Sequence, residues 1–261
     1  MELEDQPQST SITRIAVEAF AGQCRRHLVP LTGAVSYFEA VPLDGDQQRQ
    51  FLREPAEAIP SSLLERLPPL RLILVPYLEK GPPAGTDLVT FQKPPTPKLL
   101  RRSVFDVRDE IFLLFGVEEQ DVADYHYGLF QAVAGLACGA VRDEEYSRFS
   151  RLILDELNRG TRGEVDERSL QLKMQLQRRQ RLPGRNTKPM RRYTLQALED
   201  TLTLYLHGLC CDIDVEPGPR QLASRHLKRR LELLAEIFPP NPGYLLFAEP
   251  KEGADSSSEP G

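Results

Sequence analysis

Residues 70–80, LRLILVPYLEK, form the clearest β-strand pattern of the sequence, and the expected fold is built outward from them. The stretch is rich in Leu, Ile, Val and Tyr, and β-branched and aromatic residues favour strands. A second strand is predicted at residues 34–43, AVSYFEAVPL, and a third at residues 87–94, after the turn-rich connector GPPAGT. Together these segments predict a small, mostly antiparallel N-terminal sheet that includes a hairpin.

Helices are expected to flank this sheet. Residues 11–28 carry apolar side chains at helical spacing, and residues 45–66 predict one or two short helices. The segment PPTP, residues 94–97, has three prolines in four positions, which favours an extended spacer. We therefore expect an N-terminal α/β region over residues 11–97.

After residue 97 the apolar spacing becomes helical. Apolar residues recur three and four positions apart over residues 105–115, 119–141, 143–158, 193–209 and 219–238. A helical region is thus predicted over residues 98–248, and YLLFAEP at 244–250 is a candidate strand returning to the N-terminal sheet. In that case the two halves form one unit. The predicted fold class is α+β, with a predominantly helical C-terminal half.

Residues 168–177 give two conflicting signals. Leu170, Leu172, Met174 and Leu176 alternate with polar residues, and period two is typical of a strand with one buried face. The residue types themselves prefer helix, and the preceding EVDER suits a first helical turn. We favour a helix.

Charge is distributed unevenly along the 261 residues, whose net charge is −5. Residues 1–10 and 249–261 are acidic and are expected to be disordered tails. Residues 98–158 contain seven basic and twelve acidic side chains, whereas residues 159–192 contain eleven basic and three acidic ones. The second segment therefore predicts a surface that attracts anions.

The cysteines and the hydropathy pattern suggest a cytoplasmic protein. The four cysteines show no disulfide framework, which is typical of a reducing compartment. The N-terminus has no basic segment followed by an apolar one, so no secretory signal is expected. The longest weakly polar run, residues 128–141, is too short to cross a membrane. Metalloprotease, phosphate-loop, dinucleotide and hydrolase motifs are missing, so we expect no cofactor.

The sequence RRQRLPGRNTKPMRR, residues 178–192, is the strongest candidate for a binding site. Its basic side chains are Arg178, Arg179, Arg181, Arg185, Lys188, Arg191 and Arg192. Arginine binds phosphate and carboxylate in a bidentate manner, so the partner would be an anionic protein surface or a nucleic acid. The alternative is that this stretch lies against the acidic segment of the same chain, or that water alone covers it.

A second candidate site lies in RQLASRH, residues 220–226. An Arg and a His at this spacing on a late helix of a helical bundle resemble the pattern of HEPN-type ribonucleases. The resemblance implies that His226 acts as acid or base toward a ribose hydroxyl and that Arg220 stabilises the phosphate charge. It covers only these two positions, and Gln221 replaces the Asn, Asp or His usual after the Arg. The alternative interpretation is that His226 has no catalytic role and belongs to a basic surface with Arg225, Lys228, Arg229 and Arg230.

Two further sets of side chains have the chemistry of metal ligands. Cys24 and His27 are three residues apart, as are His207 and Cys210, and two Cys with two His suit tetrahedral zinc. Both cysteines also fit the apolar faces of their helices as buried thiols. The acidic stretch 106–124 precedes His126, but no His follows a Glu by three residues as in di-metal bundles. Helix ends account for those acids.

These patterns lead to a functional hypothesis and one alternative. The first is a non-enzymatic interaction protein, an adaptor or scaffold, that docks an anionic partner through the basic residues 178–192 and 220–230. The alternative is an RNA-cleaving enzyme that uses Arg220 and His226. Self-association as a homo-oligomer is compatible with both.

Overall fold

The structure, a computed structural model, describes residues 13–82, 85–118, 120–178, 187–211 and 221–246. The predicted acidic tails at 1–10 and 249–261 lie outside these ranges. Within them the strands are β1 (Arg14–Ala16), β2 (Val29–Thr32), β3 (Val35–Glu39), β4 (Leu70–Val75), β5 (Tyr77–Glu79), β6 (Leu88–Thr90), β7 (Leu99–Leu100), β8 (Arg102–Val107) and β9 (Glu110–Gly116).

The strands form two sheets. The larger has the order β2-β3-β4-β9-β8, in which β3, β4 and β9 are parallel and the two outer strands are antiparallel to their neighbours. The smaller sheet, in the order β1-β6-β5-β7, is antiparallel throughout. The prediction of a mostly antiparallel N-terminal sheet region is confirmed, as is the hairpin, in which Tyr77 pairs with Thr90.

Strand β4, at the centre of the larger sheet, is buried on both faces. Leu70, Leu72 and Leu74 belong to the main hydrophobic core, while Ile73 and Val75 belong to a second core that includes Cys24. This division follows from the period-two alternation of side chains along a strand. Burial on both faces explains why β4 is a continuous apolar run in the sequence.

The prediction of a helix over residues 105–115 is wrong. The chain forms the β8–β9 hairpin there, with Phe105 opposite Phe112. A continuous apolar run such as residues 111–115 has no period that separates a buried strand from a buried helix. The turn is made by Arg108 and Asp109, with φ of 51° and 61°, and it lacks the glycine that usually indicates such a turn. Strands therefore continue past the predicted boundary at residue 97.

The helices before β4 are short. They are α1 (Val17–Cys24), α2 (Gly45–Gln48), α3 (Glu54–Ala58) and α4 (Ser61–Leu64), with a π-helical turn at Arg49–Arg53. The short helices predicted over residues 45–66 are thereby confirmed. The helix predicted over 11–28 is shorter than expected, because β1 precedes it.

The C-terminal half is helical, as predicted, and packs on one face of the larger sheet. It consists of α5 (Val122–Ala140), α6 (Asp143–Asn158), α7 (Glu167–Gln177), α8 (Lys188–Cys210) and α9 (Ser224–Ile237). The helix favoured for residues 168–177 is confirmed as α7. Its buried side chains are Ser169, Lys173 and Leu176, spaced four and three apart, and Met174 is exposed. This spacing is helical, and it includes a buried lysine that an apolar pattern does not reveal.

The main core spans both halves of the chain, from Val35 to Phe238. Of the predicted returning strand, residues 247–250 lie outside the described ranges. Tyr244 and Leu246 are described, pack against the main core and are not part of a strand. None of the described helices combines the length and the apolar character needed to cross a bilayer.

Candidate functional site

A pocket of about 600 Å³ lies between the end of α6 and the start of α9. The C-terminus of α6 determines one wall. Thr161 N–H donates to Glu156 O at 2.9 Å and Gly160 N–H donates to Leu157 O at 3.0 Å, which is a Schellman motif. Gly160 has φ of 67°, the left-handed conformation this motif requires. The turn brings Arg159 and Arg162 to the rim of the pocket.

A second glycine joins the two walls. The backbone of Glu164 pairs with Gln221, and Leu222 N–H donates to Glu164 O at 3.1 Å. A Cβ atom on Gly163 would lie 2.2 Å from Gln221 O, and Gly163 has φ of 75°. Only glycine permits this approach with this backbone conformation. The segment 221–223 is thus held against the α6–α7 connection, and α9 begins next to it.

The pocket is strongly basic. Its lining includes Arg159, Arg162, Arg225 and Arg229 and no acidic residue. The nearest carboxylate partner is Asp155, which lies 2.9 Å from Arg159 Nε and 3.6 Å from Arg229 Nη1. Neither Arg162 nor Arg225 forms an ion pair with a carboxylate of the described residues. Four guanidinium groups and one neighbouring carboxylate leave an excess of three positive charges at the opening.

His226 lies in the wall of this pocket and is only 7% exposed. Arg225 Nε donates to His226 Nε2 at 3.3 Å, and Thr161 Oγ1 lies 3.4 Å from the same atom. Because an arginine nitrogen can only donate, His226 Nε2 must accept, and the ring proton lies on Nδ1. Nδ1 is 3.9 Å from Glu156 Oε1. Burial lowers the pKa of His226, and Glu156 counteracts this only in part, so the ring is neutral at pH 7.

A buried ionic cluster supports the pocket from below. Arg230 is fully buried and donates to two carboxylates, with Nη2 at 2.5 Å from Glu156 Oε2 and Nη1 at 2.8 Å from Glu164 Oε2. Lys173 Nζ lies 3.1 Å from Glu164 Oε1, and Tyr193 OH also donates to this carboxylate. Two carboxylates thus match two cations, which is the condition for burying charge at acceptable cost.

The pKa values in this cluster follow from those contacts. Burial alone would raise the pKa of Glu164, but the guanidinium of Arg230 and the ammonium of Lys173 outweigh it and lower the pKa to about 2. Burial would lower the pKa of Arg230, yet Glu164 and Glu156 raise it. Burial lowers the pKa of Lys173 despite the attraction of Glu164. The contacts therefore favour the ionised forms of Glu164 and Arg230.

The structure corrects the interpretation of residues 225–230 as one basic surface. Arg225 and Arg229 are exposed, but His226 and Arg230 are buried. Helix α9 thus presents Arg225 and Arg229 on the face toward the pocket. On another face Arg230 is already bound to Glu156 and Glu164. Arg220, the partner of His226 in the ribonuclease hypothesis, lies outside the described residues.

The basic stretch 178–192 is described only in part. Arg179, Arg181 and Arg185 lie outside the described residues, whereas Arg178, Lys188, Arg191 and Arg192 are described and exposed. Within the described ranges none of these four forms an ion pair with a carboxylate. The guanidinium carbon of Arg191 lies 5.9 Å from the ring centroid of Tyr146.

These four residues do not line the pocket of His226. Lys188 and Arg192 instead border a separate groove of about 210 Å³, next to Leu172 and Leu176. The described residues thus form two separate basic surfaces. The sequence pointed to one of them through residues 178–192 and to part of the other through residues 220–230, but it did not single out Arg159 and Arg162, since two isolated arginines give no pattern.

The predicted zinc ligands are not assembled as one set. Cys24 is buried in the second core, whereas Cys210 packs against the main core on the opposite face of the larger sheet. Among the described residues, the group of donor atoms close enough to share an ion contains Cys210 but not Cys24, His27 or His207. None of the four cysteines forms a disulfide.

The acidic stretch before His126 is occupied by structural contacts. Glu110 Oε1 accepts from Arg71 Nη2 at 2.6 Å, and Asp121 caps α5 by accepting from Ala123 N–H at 2.8 Å. Asp121 and Asp124 lie at the start of α5, as the sequence interpretation of helix-end acids expects, whereas Glu110 lies in strand β9.

Comparison with known proteins identifies no relative: no family model matches the chain, and neither a curated protein nor a solved structure matches it.

Proposed function

We propose that this chain is a non-enzymatic interaction protein that docks an anionic partner. The observation that carries the proposal is the open pocket between α6 and α9. It has four arginines, a single neighbouring carboxylate, and two guanidinium groups without a described carboxylate partner. An uncompensated cluster of this kind attracts carboxylates or phosphates and directs their approach.

The pocket favours an acidic protein segment over single-stranded nucleic acid. Proteins that bind single strands combine a basic groove with aromatic side chains on which bases stack. The described lining of this pocket contains no Phe, Tyr or Trp. Arginines on two elements, separated by the concave floor, suit a segment with spaced carboxylates, because each planar fork can bind one carboxylate.

The rigid support of the pocket is a second argument. The Schellman turn after α6, the close contact at Gly163 and the ionic cluster of Arg230 connect the two walls of the pocket. Groups that are already in position lose little conformational entropy when a partner binds. The exposed Lys188, Arg191 and Arg192 offer a second basic surface for the same partner or another.

The test is a binding measurement with matched arginine variants. A fluorescently labelled polyglutamate peptide and a labelled RNA oligonucleotide are titrated with the protein at low ionic strength. The double variant Arg162→Ala/Arg225→Ala should weaken peptide binding by at least about tenfold, since a hydrogen bond to a charged group contributes about 1.5–3 kcal/mol. The double variant Arg191→Ala/Arg192→Ala shows how much the surface with Lys188, Arg191 and Arg192 contributes to peptide binding.

Arg26→Ala is the matched control, because Arg26 is exposed and lies in the turn after α1, far along the chain from the pocket. Peptide binding that Arg26→Ala weakens as much as the pocket variant contradicts a specific site. If the protein binds RNA more tightly than the peptide, and the pocket variant loses this binding, then the partner is a nucleic acid and not an acidic protein.

RNA cleavage is the second candidate function, and the state of His226 favours it. The ring is neutral, its Nε2 lone pair accepts from Arg225, and the carboxylate of Glu156 lies 3.9 Å from Nδ1. A neutral imidazole can remove a proton from a ribose hydroxyl, and the pocket arginines would stabilise the phosphate. His226→Ala should then abolish cleavage of RNA and leave its binding intact. Absence of cleavage by the unaltered protein rules out this candidate.

We also propose that the protein is cytoplasmic and that it associates with itself. The lack of disulfides among the four cysteines supports a reducing compartment. Fractionation of cells that express the tagged full chain tests the location, and light scattering of the purified chain tests the homo-oligomer.

A further inference from the structure

Three potential metal ligands from distant parts of the chain meet near the end of α8. Cys210 is the last residue of α8, Cys211 caps it, and His126 lies in the second turn of α5, which packs against α8. His126 Nδ1 is 3.2 Å from Cys211 Sγ and 4.0 Å from Cys210 Sγ. All three donor atoms lie within 4.8 Å of one another.

The imidazole of His126 is oriented for coordination. Its Nε2 lies 2.7 Å from the backbone oxygen of Gln50. A carbonyl oxygen can only accept, so Nε2 carries the proton and Nδ1 has its lone pair free toward the two sulfur atoms. Metal-binding histidines usually make this arrangement, in which the second nitrogen donates to a carbonyl and fixes the tautomer.

The separations fit a tetrahedral ion. With Zn–N of about 2.0–2.1 Å, Zn–S of about 2.3 Å and tetrahedral angles, neighbouring N and S ligands are about 3.6 Å apart. The two observed N–S distances, 3.2 and 4.0 Å, lie on either side of this value. A small rotation of the cysteine side chains would equalise them. The thiols of Cys210 and Cys211 contact His126 Nδ1 and each other through weak hydrogen bonds, which hold the three donor atoms together.

The surroundings favour a thiophilic ion. His126 is 4% exposed and its ring lies beside those of Tyr125 and Phe130, with centroids 5.8 and 6.2 Å away. Cys210 and Cys211 are half-buried, so an ion can reach them from solvent. Two sulfur atoms and one nitrogen, without a carboxylate, select zinc over magnesium or calcium.

We propose that His126, Cys210 and Cys211 bind one Zn²⁺ ion, with water as the fourth ligand. The site retains Cys210 from the zinc set expected from the sequence and adds His126 and Cys211, whereas Cys24, His27 and His207 are not part of it. Binding releases the thiol protons, since the cysteines coordinate as thiolates. The ion would join the C-terminus of α8 to α5 and so strengthen the contact between two helices of the main core.

The experiment uses the full chain, reduced and freed of metal by a chelator. Titration with Zn²⁺ against a competing indicator should show one ion bound per chain and a rise in the melting temperature. Cys210→Ser and Cys211→Ser should each weaken binding by at least about 10- to 100-fold, the loss caused by removing even an outer-shell contact. Co²⁺ in place of Zn²⁺ should give a thiolate-to-cobalt charge-transfer band, which both variants diminish.

Cys138→Ser is the matched control. Cys138 is a half-buried thiol on α5, the same helix that carries His126, but it lies outside the group of donor atoms. It should bind Zn²⁺ like the unaltered chain. The proposal is overturned if the reduced chain binds no more Zn²⁺ than the Cys210→Ser/Cys211→Ser variant. It is equally overturned if Cys138→Ser loses as much affinity, or if the Co²⁺ complex has no thiolate band.

Discussion

Replacement of Arg230 by leucine should destabilise the protein more than any change at its surface. The side chain is fully buried and donates to both Glu156 and Glu164, with distances from 2.5 to 3.3 Å. In Arg230→Leu the two buried carboxylates share a single cation, Lys173. Removing one partner of a buried ionic group costs about 3–5 kcal/mol, because an uncompensated charge stays in the interior.

The magnitude can be measured by urea unfolding at pH 7. Arg230→Leu should lower the free energy of unfolding by about 3–5 kcal/mol. Arg229→Leu is the control one residue away, because Arg229 is half-exposed and its contact with Asp155 is 3.6 Å. It should cost less than about 1 kcal/mol, as exposed ion pairs do.

The difference in the free energy of unfolding between the unaltered chain and Arg230→Leu should decrease as the pH falls. Burial raises the pKa of Glu164, but Arg230 together with Lys173 and Tyr193 lowers it from 4.5 to about 2, so the stabilising effect of the ionised carboxylate is fully present above pH 4.5. It is lost as the pH falls from 4.5 toward 2, and the difference between the two proteins should shrink over this window. A cost below about 1 kcal/mol at pH 7, equal to that of Arg229→Leu, would refute the reasoning.

Three further predictions concern single residues. Gly163→Ala should lower the free energy of unfolding by more than about 1–3 kcal/mol, since its Cβ would lie 2.2 Å from Gln221 O at a positive φ. Asp200→Asn should raise it by about 1–3 kcal/mol at pH 7, because burial raises the pKa of this 5%-exposed carboxyl to about 6 and makes its ionisation costly. Asp121→Ala should lower it by about 1 kcal/mol through loss of the α5 cap. Urea unfolding measures all three.

The predictions for Gly163 and Asp200 each have an internal control. Gly160→Ala has positive φ but no atom within 4 Å, so its cost should stay nearer 1 kcal/mol, and equality with Gly163→Ala would contradict the close contact. The gain in Asp200→Asn should vanish as the pH falls from 6 to 3.8, where the unaltered side chain becomes protonated. A gain that persists at pH 3 contradicts burial of the charged form as its cause.

The sequence predicts those parts of the fold whose pattern is local. Strand β4 was expected because LRLILV is an apolar run of Leu, Ile and Val next to Tyr77, and α8 because its leucines recur three and four apart. The β8–β9 hairpin was missed because Arg108 and Asp109 adopt positive φ without a glycine. A left-handed turn made by such residues has no sequence signal, and tertiary contacts determine it.

The candidate sites depend on contacts between distant residues, which a single sequence does not reveal. Arg230 stands in LKRRLELL and reads as a surface arginine, but Glu156 and Glu164 reach it from 74 and 66 residues away. His126 meets Cys211 across 85 positions. The sequence shows the residue types and the excess of positive charge over residues 159–192. Which of these side chains lie next to one another depends on the fold.

The salt dependence of anion binding tests the central claim most directly, namely that the pocket between α6 and α9 is open to an anionic partner. The affinity for polyglutamate should fall as ionic strength rises, because salt screens exposed charges over a Debye length of about 8–10 Å. In Arg162→Ala/Arg225→Ala the affinity should be lower and its slope against salt shallower. Identical affinities and slopes for the two proteins would contradict the claim.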